Sequence, residues 1–137
     1  MVKAKDIMSR TVTTVHEYAN VMEVIKLLVE HNVTGLPVVD DSGRLLGMVT
    51  EKDILMLLLY YPNVKGKTVT DLMTTEITHF DEYENLMSIF ESLVQSNFRR
   101  VPNLSEGRMG GIDSRRDRMK FVSAKAKKAQ KNDEDES

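Results

Sequence analysis

The sequence contains no cysteine among its 137 residues, so neither a disulfide framework nor a thiolate metal site is open to it. It also lacks any apolar run near the roughly 20 residues of a membrane-spanning helix. The opening stretch Met1-Val2-Lys3-Ala4-Lys5-Asp6 has no apolar centre of the kind a secretory leader needs. An excess of one charge is missing too. Nineteen basic and 21 acidic side chains leave a net charge of −2, which gives nucleic acid or an anionic membrane no general attraction. No nucleophile–base pair, metal cluster or Walker-type phosphate loop can be found, and this argues against an enzyme. His16, His31 and His79 are well separated and read as surface histidines rather than metal ligands. These absences point to a cytoplasmic protein with no covalent cofactor.

What is present is the composition of a globular domain, 41% hydrophobic and 29% charged, with enough length for one real core. The chain is internally duplicated. Shifted by 65, residues 6–40 show 11 identities in 35 pairs, where chance gives about 2. Asp6-Ile7-Met8 falls on Asp71-Leu72-Met73, and Glu17-Tyr18-x-Asn20 on Glu82-Tyr83-x-Asn85. One residue is lost before Gly107, and the offset becomes 64, pairing Gly43 with Gly107, Gly47 with Gly111 and Asp53 with Asp117. Met8 and Met73 fall at equivalent places and read as core filling.

Each copy predicts the order β-α-β-β-α. The β-prone runs Thr11–Val15 and Glu76–Phe80 come first. Val21, Val24, Ile25 and Leu28 then share one helical face behind the cap Asn20, with Glu23 three residues on, and Leu86, Ile89, Phe90 and Leu93 repeat that face behind Asn85. Leu36-Pro37-Val38-Val39 and Leu45–Val49 make two strands about the turn Asp40–Gly43. A closing helix runs from Thr50 to about Tyr60-Tyr61-Pro62. The expected organisation is repeat 1 over residues 1–61, a linker at 62–67, repeat 2 over 68–122, and a disordered charged tail at 123–137. Neither repeat is large enough to bury its own faces, so the two are expected to pack as a pseudo-two-fold pair of mixed α/β (α+β) class.

The stretches Gly47-Met48-Val49-Thr50-Glu51-Lys52-Asp53 and Gly111-Ile112-Asp113-Ser114-Arg115-Arg116-Asp117 each turn from strand to helix at a hydroxyl residue. Thr50 and Ser114 suit the N-cap, with Asp53 and Asp117 three residues on. A helix N-terminus of this kind attracts anions, although capping alone requires the same residue types. Together with Asp6-Ile7-Met8-Ser9 and Asn32-Val33-Thr34-Gly35-Leu36-Pro37-Val38-Val39, these stretches resemble a tandem pair of cystathionine β-synthase (CBS) domains, often called a Bateman module, over residues 3–122.

That resemblance implies a regulatory, energy-sensing module that binds AMP, ADP, ATP or S-adenosylmethionine in clefts between the repeats. It implies that Asp53 and Asp117 bond ribose hydroxyls, with Thr50 and Ser114 beside ribose and phosphate. Thr34, Gly35 and Leu36 would line the first pocket, and Arg99, Arg100 and Val101 the second. Ile77 and Thr78 would cover the base in the Asp53 pocket, and Val12 and Thr13 in the Asp117 pocket. Residues 99–120 carry seven basic side chains, Arg115 and Arg116 among them, against three acidic ones. A phosphate is therefore expected nearer the second pocket. The resemblance further implies a homodimer, a flat disc of four CBS domains, and action on a separate effector protein. Two other functions remain open: an association module with empty pockets, and a nucleic-acid binder using the repeat-2 arginines and the tail lysines. Repeat 2 departs from the pattern at Asn103, Gly110, Asp113 and Arg118, which stand in place of apolar residues.

Overall fold

The computed structural model describes residues 2–10, 12–61, 63–95 and 100–136, apart from the side chains of residues 100, 101, 113, 115 and 133–136. The elements follow the predicted order twice: β1 (Val15–His16), α1 (Val21–His31), β2 (Gly35–Val39), β3 (Leu45–Thr50) and α2 (Glu51–Tyr60), then β4 (Phe80–Asp81), α3 (Leu86–Val94), β5 (Arg100–Ser105), β6 (Arg108–Ser114) and α4 (Arg115–Glu136). Two three-stranded sheets result, ordered β1-β2-β3 and β4-β5-β6. In the first, β1 runs parallel to β2 and β2 antiparallel to β3, with a register shift at Val38/Val39. In the second, β4 runs parallel to β5. The class is mixed α+β.

Local chemistry accounts for the helix starts. The Asn20 side chain accepts from the Glu23 N–H at 2.9 Å, and Asn85 accepts from Met87 at 3.0 Å, each satisfying one orphan donor of a first turn. Asn32 ends α1 at φ 50°, the left-handed position that asparagine tolerates. The opening strands are shorter than the β-prone runs that predict them. Pairing begins only at Val15 and Phe80, where β2 and β5 supply ladder partners.

The chain divides into two compact units. One holds Val12–Thr78 with Glu106–Met109; the other holds Met1–Thr11, His79–Ser105 and Gly110–Ser137. Each unit thus joins the helices and most of the sheet of one repeat to the opening segment of the other, and the 12–78 unit also takes the Glu106–Met109 turn. In the 12–78 unit, Met48 and Thr74 exchange both backbone hydrogen bonds at 2.9 and 2.8 Å, and Val69 is fully buried among Val15, Val24, Leu36, Val38 and Val49. In the other unit, Ser9 and Ile112 exchange both at 2.9 Å, and Ala4 packs with Phe80 and Ile89.

Gly47 and Gly111 permit these close approaches. A Cβ on Gly47 would lie 2.6 Å from the Thr74 carbonyl oxygen, and one on Gly111 2.6 Å from Met8 Sδ and 2.8 Å from the Ser9 carbonyl oxygen. Met8 and Met73 fill the space beside them, as the duplication predicts.

One expectation, that of a disordered tail, is corrected. Residues 123–136, read as a disordered tail, continue α4. The segment holds no glycine or proline, and its alanines, lysines and glutamine are good helix formers, which keeps the helix going without apolar cover. Residues 123–132 are exposed throughout. At position 103, where repeat 1 buries Val38, Asn103 is buried just as completely. Its Nδ2 donates weakly to Met8 Sδ at 3.7 Å, and its Oδ1 has no partner among the described residues. Gly110 leaves room for the Glu82 carboxylate, whose Oε2 lies 3.1 Å from where a Cβ would stand.

Candidate functional site

The two strand-to-helix junctions are built alike. At β3–α2 the Thr50 N–H donates to Asp53 Oδ2 at 2.7 Å and the Thr50 hydroxyl donates to the same oxygen at 2.9 Å. The Asp53 N–H returns a 3.3 Å bond to Thr50 Oγ1. At β6–α4 the Ser114 N–H and hydroxyl donate to Asp117 Oδ2 at 3.3 and 2.8 Å, and the Asp117 N–H donates to Ser114 Oγ at 3.3 Å. Both aspartates are half-buried. In each cap only Oδ2 is engaged, so Oδ1 is outside the capping bonds and is an acceptor for a ligand hydroxyl. A carboxylate therefore can cap its helix and bind a diol at once, with two oxygens of about four acceptor sites.

The 12–78 unit gathers eight of the predicted residues: Val12, Thr13, Thr34, Leu36, Thr50, Asp53, Ile77 and Thr78. Gly35 pairs with Thr50 and Leu36 with Val49 in the β2–β3 ladder, and the Thr34 carbonyl accepts from the Glu51 N–H at 2.8 Å. Thr34 thereby abuts the first residue of α2. Its side chain belongs to an apolar groove with Ile25, Leu28, Val33 and Ile54, on a different lining from that of Asp53. Leu36 is 1% exposed and its side chain is spent on the core. Ile77 and Thr78 are half-buried, as are Val12 and Thr13, and the Thr13 hydroxyl lies 3.3 Å from His31 Nδ1.

The other unit holds Arg100, Val101, Ser114, Arg115, Arg116 and Asp117. Arg116 is exposed. Arg99 lies outside the described residues, and so do the side chains of Arg100, Val101 and Arg115.

Asp53 opens onto a cavity of about 360 Å³ within the 12–78 unit, lined by Asp53, Met56, Leu57, Tyr60, Tyr61, Lys67, Asp71 and Leu72. Of these, only Asp53 is a predicted site residue; Tyr61, Lys67 and Asp71 are the polar residues among those that sequence reasoning missed. A signal was available. Thr68-x-x-Asp71 has the same spacing as Thr50-x-x-Asp53 and the same geometry, with the Thr68 N–H donating to Asp71 Oδ2 at 2.9 Å. Among the described residues no group of three or more His, Asp or Glu side chains is placed to hold a metal ion, and no helix is long and apolar enough to cross a membrane. His16 lies instead against Asp41, with Nε2 to Oδ1 at 2.5 Å.

With this geometry in place, the chain can be set beside known proteins. Residues 4–60 match the model of the CBS domain. Hypoxic response protein 1 of Mycobacterium tuberculosis is 32% identical over 115 residues, which is 82% of this chain and 79% of that protein. The chain belongs to the CBS-domain family, as a tandem pair. Among solved structures it is similar to CBSX2, a CBS-pair protein of Arabidopsis thaliana, in complex with AMP. That likeness has a TM-score of 0.80 at 30% identity and covers 90% of this chain and 98% of that one. It is also similar to the CBS domain pair of MJ0100 in complex with 5′-methylthioadenosine and S-adenosyl-L-methionine. Here the TM-score is 0.73 at 30% identity, over 88% and 99% of the two chains. Two curated relatives from Methanocaldococcus jannaschii are longer: the chain spans 42% of one, and 20% of another named L-aspartate semialdehyde sulfurtransferase.

Proposed function

We propose that this chain is a regulatory CBS pair of the cytoplasm, not itself an enzyme, that senses an adenosyl ligand: AMP, ADP, ATP or S-adenosylmethionine. The observation that carries the reading is the twice-built Thr/Ser-x-x-Asp junction, in which one carboxylate oxygen caps the helix and the other is left out of the cap. The solved relatives with AMP and with S-adenosyl-L-methionine support the choice of ligand class. Asp53 and Asp117 bind ribose, with Thr50 and Ser114 alongside. Ile77 and Thr78 line the first pocket beside the backbone of Thr34 to Leu36, and Arg116 the second. The chain acts as a homodimer on a separate effector protein.

The test is a thermal-shift panel of the four ligands. At a hundredfold excess over Kd, binding stabilises the fold by about 2.7 kcal/mol and raises the melting temperature by several degrees. A panel in which no ligand moves the melting temperature overturns this reading in favour of an association module. Exposed Leu55, Leu58 and Leu59 on α2 favour that second function.

A further inference from the structure

The cavity beside Asp53 has a charge pattern that bears on which adenosyl ligand it takes. Among the described residues that line it, Asp53 and Asp71 stand against one cation, Lys67, whose Nζ is 5.3 Å from the centre of the Tyr61 ring. Neither carboxylate is used up by its cap. Asp53 commits Oδ2 to Thr50, and Asp71 commits Oδ2 to the Thr68 N–H and, at 3.4 Å, to the Thr68 hydroxyl. Tyr60 and Tyr61 add two aromatic rings, whose faces attract cations. The duplication supplies an internal contrast: the residues corresponding to Met56 and Tyr61 in repeat 2 are Lys120 and Lys125. Both carboxylates have counterparts, Asp117 and Asp6, so the contrast lies in the apolar and aromatic residues that repeat 2 replaces with lysine.

We propose that the Asp53 cavity selects a cationic adenosyl ligand, an adenosyl sulfonium, over adenine nucleotides that carry phosphate. The inference rests on the adenosyl reading of Asp53 and narrows it. A phosphate monoester brings about −1.5 to −2 charges at neutral pH toward two carboxylates. A sulfonium brings one positive charge toward those same groups and toward the tyrosine faces. Asp71 is exposed and Asp53 half-buried, so solvent screens the preference to a severalfold effect.

The test is calorimetric titration of the full chain with S-adenosylmethionine, S-adenosylhomocysteine and AMP. Asp117→Ala is used as the background, so that the 12–78 unit is read alone. The first two ligands differ only by the sulfonium methyl group and its charge. The expected order is S-adenosylmethionine tightest, by roughly three- to tenfold over S-adenosylhomocysteine, with AMP weakest. The preference is expected to shrink as salt is raised and to shrink in Asp71→Asn, whose side chain still accepts from the Thr68 N–H; Asp71→Ser serves as a second variant. Equal or tighter binding of S-adenosylhomocysteine or AMP, or a preference that neither Asp71 change reduces, overturns this inference alone. Absence of binding by all three ligands overturns the adenosyl reading as well.

Discussion

Gly47 and Gly111 show what a residue-scale reading can and cannot recover. Their equivalence is plain from the repeat, and so is the Thr/Ser-x-x-Asp spacing that follows each. The reason for glycine is not local, however. It is the backbone of Thr74 and of Ser9, each brought close by the fold, that leaves no room for a Cβ. Gly47→Ala is therefore expected to destabilise the protein by about 1–3 kcal/mol in urea unfolding, since the atom in the way is a carbonyl oxygen and not a yielding side chain. Gly43→Ala meets nothing within 4 Å but sits at φ +80°, and should cost about 1 kcal/mol through strain alone. Asn103 makes the opposite prediction. Its Oδ1 is buried without a described partner, at the place where repeat 1 holds Val38. Asn103→Val should stabilise the fold by roughly 1 kcal/mol by removing that penalty. A loss of stability instead would mean that the amide serves a partner.

At the scale of elements, helix starts were legible because capping is written in adjacent residues. Asn20, Thr50 and Asn85 all cap where the spacing predicts. The two opening strands were overestimated, since β propensity at Thr11–Val15 says nothing about where a partner strand begins. The attachment of Val69–Asp71 to the first sheet and of Ala4–Asp6 to the second was illegible, because it depends on tertiary pairing between distant stretches. The far half of α4 was misread for a different reason: low hydrophobicity rules out burial, not helicity. With residues 123–132 exposed, nothing described there braces the fold. Truncation after Val122 should leave the unfolding free energy within about 0.5 kcal/mol of the full chain. It should also lower the helical circular dichroism signal. A substantial drop in stability would show that the far half of α4 packs on something.

For the molecule as a whole, the duplication carried most of the fold and the family, while the composition of the candidate pocket came from the structure. Asp53 was found from its motif, but Tyr61, Lys67 and Asp71 meet it only after α2 and the following segment fold back together. The same scale decides assembly. Leu55, Leu58, Leu59 and Tyr60 are each more than half exposed along one helix, a patch that solvent leaves uncovered at a cost. Sedimentation at micromolar concentration should therefore give a dimer, and Leu59→Lys should shift it toward monomer. A wild-type chain that sediments as a monomer would remove the homodimer from the account. The measurement that reaches the central claim most directly is the ligand-induced melting shift of Asp53→Ala/Asp117→Ala beside the wild type, with S-adenosylmethionine and AMP. Losing the aspartate half of two capping boxes should lower the unliganded stability by about 1–3 kcal/mol, with the N-caps Thr50 and Ser114 retained. The account predicts that the ligand then shifts the wild type by several degrees and the double variant not at all; equal shifts in both would contradict it.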